Sequence, residues 1–148
     1  MAGRTLIAAL LLAAAPCLAD DTTVPSTLEH FGLLGTWAVD CAKPPGPENE
    51  YSTYSVPPSG KARLAFSSGA PYRDIVYEIQ SAAPEAQGQL ALQVMRLPEK
   101  IYVDLVLSKI GDTVQVWSSH TPDGRMLVTD GVITGNGLPS PRFKRCGK

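Results

Sequence analysis

The sequence has few of the residues that nucleic-acid or membrane-surface binding requires. Charged residues make up only 18% of the chain, and the formal net charge is −1 at pH 7. No block of like charge forms the basic face of a nucleic-acid-binding domain. No basic amphipathic stretch predicts a helix that lies on a membrane surface. We therefore expect neither nucleic acid nor a membrane surface as a partner.

Catalytic and metal-binding patterns are also missing. The chain has two histidines, and no C-x-x-C pair or other cysteine–histidine spacing predicts a metal site. Ser119 and His120 are adjacent, so on a strand they point to opposite faces and do not form a nucleophile–base pair. His30 falls in a predicted helix, and Asp104 and Glu78 fall at outward-facing strand positions. We assign no catalytic or metal-binding residue and expect neither enzyme activity nor a cofactor.

The longest apolar run lies at the N-terminus and predicts a signal peptide over residues 1–19. Arg4 supplies a positive charge, residues 6–15 are apolar throughout, and Ala19 is a small residue at the predicted cleavage point. The apolar run is shorter than the ~20 residues that span a bilayer. The sequence therefore predicts no membrane span and a periplasmic or secreted location.

Cleavage of this signal peptide would remove Cys17 and leave two cysteines, Cys41 and Cys146. An even number of cysteines in an exported chain favours a disulfide. On a first strand over about 34–41, Cys41 shares the inward face of Trp37. Cys146 has the opposite phase to Phe143 on the last strand, so we expect either a bulge there or a cysteine beyond the regular strand.

Prolines and glycines, 13 of each, divide the chain into short segments. Ser26-Thr27-Leu28-Glu29 has the pattern of a capping box and predicts a short helix over about 27–33. Beyond the helix, turns such as Thr121-Pro122-Asp123-Gly124 separate eight or nine short alternating strands. The predicted organisation is a signal peptide over 1–19, an N-terminal arm and short helix over 20–33, and a β-barrel domain over 34–148.

Many short strands in succession are typical of a sandwich or an antiparallel barrel. The regular order of hairpins favours an up-and-down meander, and closing it removes the two bare edges. Closure would also place the first strand beside the last, as a Cys41–Cys146 disulfide requires. We predict an all-β, antiparallel up-and-down eight-stranded barrel with a short N-terminal helix and one disulfide.

The motif Gly35-Thr36-Trp37, after a short helix, resembles the lipocalin and calycin-like group of barrels. In that group the tryptophan closes one end of the barrel, and an arginine near the last strand packs over it. The resemblance implies structural roles for Trp37 and for Arg145 or Arg142, joined by a cation–π contact. The chain also resembles exported bacterial metalloprotease inhibitors in part, and small periplasmic proteins of α-proteobacteria without known activity.

The interior of an eight-stranded barrel is filled by side chains or holds one small ligand. The predicted lining is apolar except for one hydroxyl, and it consists of Phe66, Tyr77, Leu92, Val103, Leu105 and Val116. The leading prediction is a monomeric, non-catalytic barrel that binds a small hydrophobic ligand.

The alternative is a protein-interaction module, such as a protease inhibitor or an envelope factor. It would act through the stiff, proline-rich loop over 42–50 and the segment over 20–27. A cavity above ~300 Å³ would favour the ligand binder, and a filled barrel would favour the interaction module.

Overall fold

The structure is a computed structural model that describes residues 23–147. The predicted signal peptide and the start of the predicted N-terminal arm lie outside the described residues. Within that part of the chain the elements are α1 (Val24–Phe31), β1 (Gly35–Ala38), β2 (Tyr51–Ser55), β3 (Arg63–Ser67), β4 (Ile75–Pro84), a 3-10 helix (Ala86–Gly88), β5 (Gln89–Leu97), β6 (Ile101–Ile110), β7 (Thr113–His120), β8 (Met126–Thr129), β9 (Val132–Ile133) and β10 (Arg142–Cys146).

Eight of these strands close an antiparallel barrel, which confirms the predicted fold. Strands β1 to β7 pair in sequence order, and β10 pairs with both β1 and β7. Strands β8 and β9 form a hairpin that branches from β7. The barrel therefore closes through β10, and the short β8–β9 hairpin is an addition to it.

The seam between β1 and β10 carries the predicted Cys41–Cys146 disulfide. The two Cα atoms are 5.4 Å apart, and the bond spans 105 residues of sequence. The irregularity expected at Cys146 is absent, because Cys146 is the last residue of β10 and pairs in register with Thr36. The departure from regular strand structure lies instead on the side of Cys41.

Strand β1 ends at Ala38, earlier than predicted. The backbone N–H of Asp40 donates to the side-chain oxygen of Asn49 at 2.9 Å, and the chain turns away from the barrel at this point. Cys41 was expected to share the inward face of Trp37, but it is exposed, as is Val39 between them, at 42%. That expectation was wrong because strand alternation does not extend past Ala38.

The loop between β1 and β2 is ordered by a single buried side chain, as its predicted stiffness requires. The Asn49 amide group donates toward the carbonyl oxygens of Asp40, Lys43 and Pro44 at 2.9, 3.2 and 3.2 Å. The Tyr51 hydroxyl also donates to the Lys43 carbonyl, at 2.6 Å. These bonds fix the loop against the start of β2.

Helix α1 covers one end of the barrel. It begins at Val24 with Thr23 as the N-cap, whose hydroxyl accepts a hydrogen bond from the Ser26 N–H at 3.4 Å. The predicted capping box is therefore wrong, because Pro25 in the first turn favours a start three residues earlier. The left-handed conformation of Gly32, with φ of 74°, ends the helix after Phe31.

Candidate ligand cavity

The barrel interior contains a cavity of about 350 Å³. We call the end of the cavity nearest α1 its inner end. Lys109 Nζ, near the turn between β6 and β7, donates to the Phe31 carbonyl at 3.2 Å and so holds this end of the barrel against the helix. The inner wall at this end is mainly apolar and consists of Trp37, Tyr54, Leu64, Leu107 and Val114. The helix and the buried side chains beneath it therefore close the cavity at that end.

The outer wall lies farther along the same strands, away from α1. It includes two aromatic rings and several branched aliphatic side chains: Phe66, Leu105, Val116, Ile133 and Phe143. Ile133 belongs to the β8–β9 hairpin, so this branch of the sheet extends the cavity wall. The cavity wall is thus mainly apolar at both ends.

Trp37 is held rigidly at the inner end. Its side chain is only 4% exposed, and its Nε1–H donates to the Leu33 carbonyl at 2.7 Å. Leu33 and Leu28 are fully buried between α1 and the barrel. The ring is therefore fixed at the inner end of the barrel, beside the segment that follows α1.

Arg145 lies directly opposite Trp37 in the β1–β10 register. A Cβ atom at Gly35 would be 3.2 Å from Arg145 Nε, and φ of Gly35 is +122°, so glycine suits this position for both reasons. The predicted cation–π contact of an arginine with Trp37 is not observed. The cation–π contact that residues 23–147 do show places Lys109 Nζ 5.8 Å from the Phe31 ring centroid.

The six predicted ligand-binding residues divide into two groups. Three of them line the cavity: Phe66, Leu105 and Val116. The other three do not line it, although they pack within or against the buried core: Tyr77, Leu92 and Val103. The Tyr77 ring meets the Phe66 ring edge-on, with the centroids 5.8 Å apart, so Tyr77 contacts a residue of the cavity wall without lining the cavity itself.

Three other hydroxyl groups lie at the cavity. They belong to Ser52, Tyr54 and Ser140, which are 3, 6 and 5% exposed. Within residues 23–147, none of these hydroxyls makes a side-chain hydrogen bond, and none of the three oxygens is completely enclosed. Ser52 and Tyr54 occupy alternate positions of β2 and share its inward face, whereas Thr53 bonds to the Thr36 hydroxyl at 3.1 Å.

Sequence reasoning missed Ser52 and Tyr54 because the segment around them carries hydroxyl groups on both faces. Its polarity therefore does not reveal which face points inward. The informative feature is the position of Ser52 directly opposite Trp37, which becomes visible only when the strand register is known. Burial raises the pKa of the Tyr54 phenol far above its usual 10.0, so the hydroxyl is neutral at physiological pH.

The charged residue of the cavity wall is Glu50, just before β2 at the end away from α1. Its carboxylate is half-buried and accepts a hydrogen bond from Ser68 Oγ at 3.2 Å. No lysine or arginine of the described residues lines the cavity. The electrostatic character of the cavity is therefore neutral at its inner end and acidic at its outer end.

A second concavity, of about 280 Å³, lies against the outer face of β4 to β7. Here Asp104 accepts a hydrogen bond from Gln93 Nε2 at 3.0 Å and lies 3.3 Å from His120 Nε2. Ser119 is buried on the opposite face from His120, as strand alternation predicts. Asp104 and His120 form a half-exposed surface pair, and Ser81 and Ser118 line the same concavity.

Within residues 23–147, no three histidine, cysteine, aspartate or glutamate side chains lie together as potential metal ligands. In the same part of the chain, no helix combines the length and the apolar character needed to cross a membrane. No family model, no curated protein and no solved structure matches this chain.

Proposed function

We propose that the protein is an exported, non-catalytic β-barrel that binds a small, mostly apolar ligand in its cavity. The observation that carries this proposal is the apolar cavity of about 350 Å³. Its volume lies at the lower end of the ~300–1,000 Å³ range of small-molecule sites. Since the barrel is not filled by its own side chains, ligand binding is favoured over a purely structural interior.

The lining explains how binding energy would arise. Burial of apolar surface stabilises a complex by roughly 25 cal/mol per Å², so a ligand that buries about 200 Å² gains about 5 kcal/mol. Loss of translational and rotational freedom costs roughly 4 kcal/mol or more. Affinity therefore depends on how well the ligand fits the fixed wall at Trp37 and the outer residues Phe66 and Val116.

The disulfide supports the exported location that is part of this proposal. Disulfides form and persist in the periplasm and outside the cell, and they are rare in reducing compartments. The Cys41–Cys146 bond agrees with the signal-peptide pattern of residues 1–19. The lipocalin-like relationship belongs to the same proposal, and the closed barrel with Trp37 at its inner end supports it.

Titration with N-phenyl-1-naphthylamine, a neutral apolar fluorophore, tests the proposal. We expect one probe molecule to bind per chain with increased fluorescence. Val116→Trp should weaken binding by about tenfold or more, because the indole would occupy the cavity. The matched control is Val76→Trp, since Val76 points outward from β4 opposite Ala65. Absence of binding, or equal affinity of both variants, would contradict the proposal.

The alternative, a protein-interaction module, has one structural argument in its favour. The loop between β1 and β2 is held rigid by Asn49 and anchored at Cys41, so its surface is preorganised. A stoichiometric protein that co-purifies with the chain, and is lost when Asn49→Ala loosens the loop, would favour this alternative over the ligand binder.

A further inference from the structure

We propose that the ligand is a neutral amphiphile that places its single uncharged hydrogen-bonding group against Ser52 and Tyr54 at the inner end of the cavity. This inference rests on the proposed function and adds the chemical class and the orientation of the ligand. An alcohol, a phenol or a simple amide on an apolar body has this chemistry.

The hydroxyls of Ser52 and Tyr54 have a free-energy cost in the folded chain unless they are hydrogen-bonded. Ser52 and Tyr54 are 3 and 6% exposed, and their hydroxyls make no hydrogen bond within residues 23–147 and keep a little accessible surface at the cavity. A buried polar group without a hydrogen bond destabilises the folded state. Alanine or phenylalanine at these positions would avoid that cost, so the hydroxyls are best explained by a partner that arrives from the cavity.

The two hydroxyl-bearing side chains lie close enough together to bind the same group of a ligand. Tyr54 lies opposite Gly35, next to α1, and Ser52 lies between Trp37 on β1 and Phe66 on β3, where the inner and outer walls meet. Adjacent inward positions of a strand are ~6.6 Å apart at the Cα atoms, so one small group reaches both side chains. Each hydroxyl donates and accepts, and the pair therefore suits a group that does the same.

The charged side chains of the cavity wall favour a neutral ligand over an anionic one. No lysine or arginine of the described residues lines the cavity, and the carboxylate of Glu50 lies at its outer end. An anionic headgroup would lose its hydration without gaining a counter-ion. The apolar body of the ligand then points outward and packs against Phe66 and Val116.

Isothermal titration calorimetry at pH 7 with naphthalene, 2-naphthol and 2-naphthoate tests this inference. The three probes share one apolar body, and at pH 7 the phenol is neutral while the carboxylate is ionised. We expect 2-naphthol to bind about tenfold more tightly than naphthalene, since it satisfies two hydroxyls, and 2-naphthoate to bind most weakly.

The double variant Ser52→Ala/Tyr54→Phe should abolish the preference for 2-naphthol and leave the affinity for naphthalene unchanged. Its matched control is Ser55→Ala/Tyr102→Phe, because both of these side chains are exposed. This control should retain the full preference. Thermal unfolding of both variants establishes that each is folded.

The outcomes separate the inference from the proposed function. Equal affinity for naphthalene and 2-naphthol, or a preference that survives in the double variant, would overturn the inference and leave the ligand cavity standing. Tightest binding of 2-naphthoate would overturn the neutral class. Failure of all three probes to bind would overturn the proposed function together with the inference.

Discussion

Replacement of Trp37 by alanine perturbs the barrel where the helix, the cavity and the seam strand meet. The ring is 4% exposed, and its Nε1–H donates to the Leu33 carbonyl at 2.7 Å. Truncation of a buried tryptophan to alanine costs about 3–5 kcal/mol. The same change leaves the buried Leu33 carbonyl without this donor, which adds about 1 kcal/mol. We expect a loss near the upper end of that range, because the vacated volume joins the existing cavity.

Urea unfolding of the disulfide-bonded chain, followed by circular dichroism, measures this loss as a lower midpoint at an unchanged m value. Trp37→Phe is the informative companion, since it keeps an aromatic ring and removes the donor to Leu33. We expect it to cost about 1–2 kcal/mol. A loss below about 1 kcal/mol for Trp37→Ala would refute the reasoning, because no buried tryptophan ring of this kind is removed so cheaply.

Two further predictions concern the seam and the acidic side of the pH range. Reduction of the Cys41–Cys146 disulfide should lower the free energy of unfolding by up to ~4–5 kcal/mol, because its 105-residue loop constrains the unfolded chain; unchanged thermal melting after reduction would contradict this. The hydrogen bond from Gln80, and then that from Lys61, lowers the pKa of Glu78 from its ordinary value of 4.5. The folded pKa is thus below the unfolded one, so Glu78 contributes stability above pH 4.5 and loses it as the pH falls through the lowered value. An NMR titration midpoint for Glu78 at or above 4.5, or one that Gln80→Ala does not raise, would contradict this prediction.

The barrel and its seam could be predicted from the sequence because their signals are local and repeated. Apolar and polar residues alternate strand after strand, and turn residues separate the strands. The cysteines near the two ends of the domain supply an independent constraint on closure. Trp37 could be placed inside for the same reason, since it lies on the apolar face of the first strand.

The features that sequence reasoning missed depend on contacts between distant residues. Strand β1 stops at Ala38, where Asn49, from the far end of the following loop, bonds to Asp40. The start of α1 reflects Pro25 and the Thr23 cap more strongly than the apparent capping box. The β8–β9 branch could not be distinguished from two barrel strands, because strand pattern alone does not say which edge a strand joins.

The cavity lining was only partly predictable for a related reason. Alternation assigns a side chain to the interior, but it does not say whether the neighbouring space is filled. Tyr77 points inward and stacks edge-on against Phe66, and Val103 packs against the buried core. Ser52 and Tyr54 reach the cavity through a register that pairs β2 with β1 and that no local pattern encodes.

Native mass spectrometry of the chain, purified without denaturation from its natural host, tests ligand binding most directly. We expect the folded chain to carry one small molecule that dissociates on denaturation. The Val76→Trp variant should retain this molecule, whereas the Val116→Trp variant should be recovered without it. Recovery of the wild-type chain with no small molecule, or of both variants with the same molecule bound, would contradict the account.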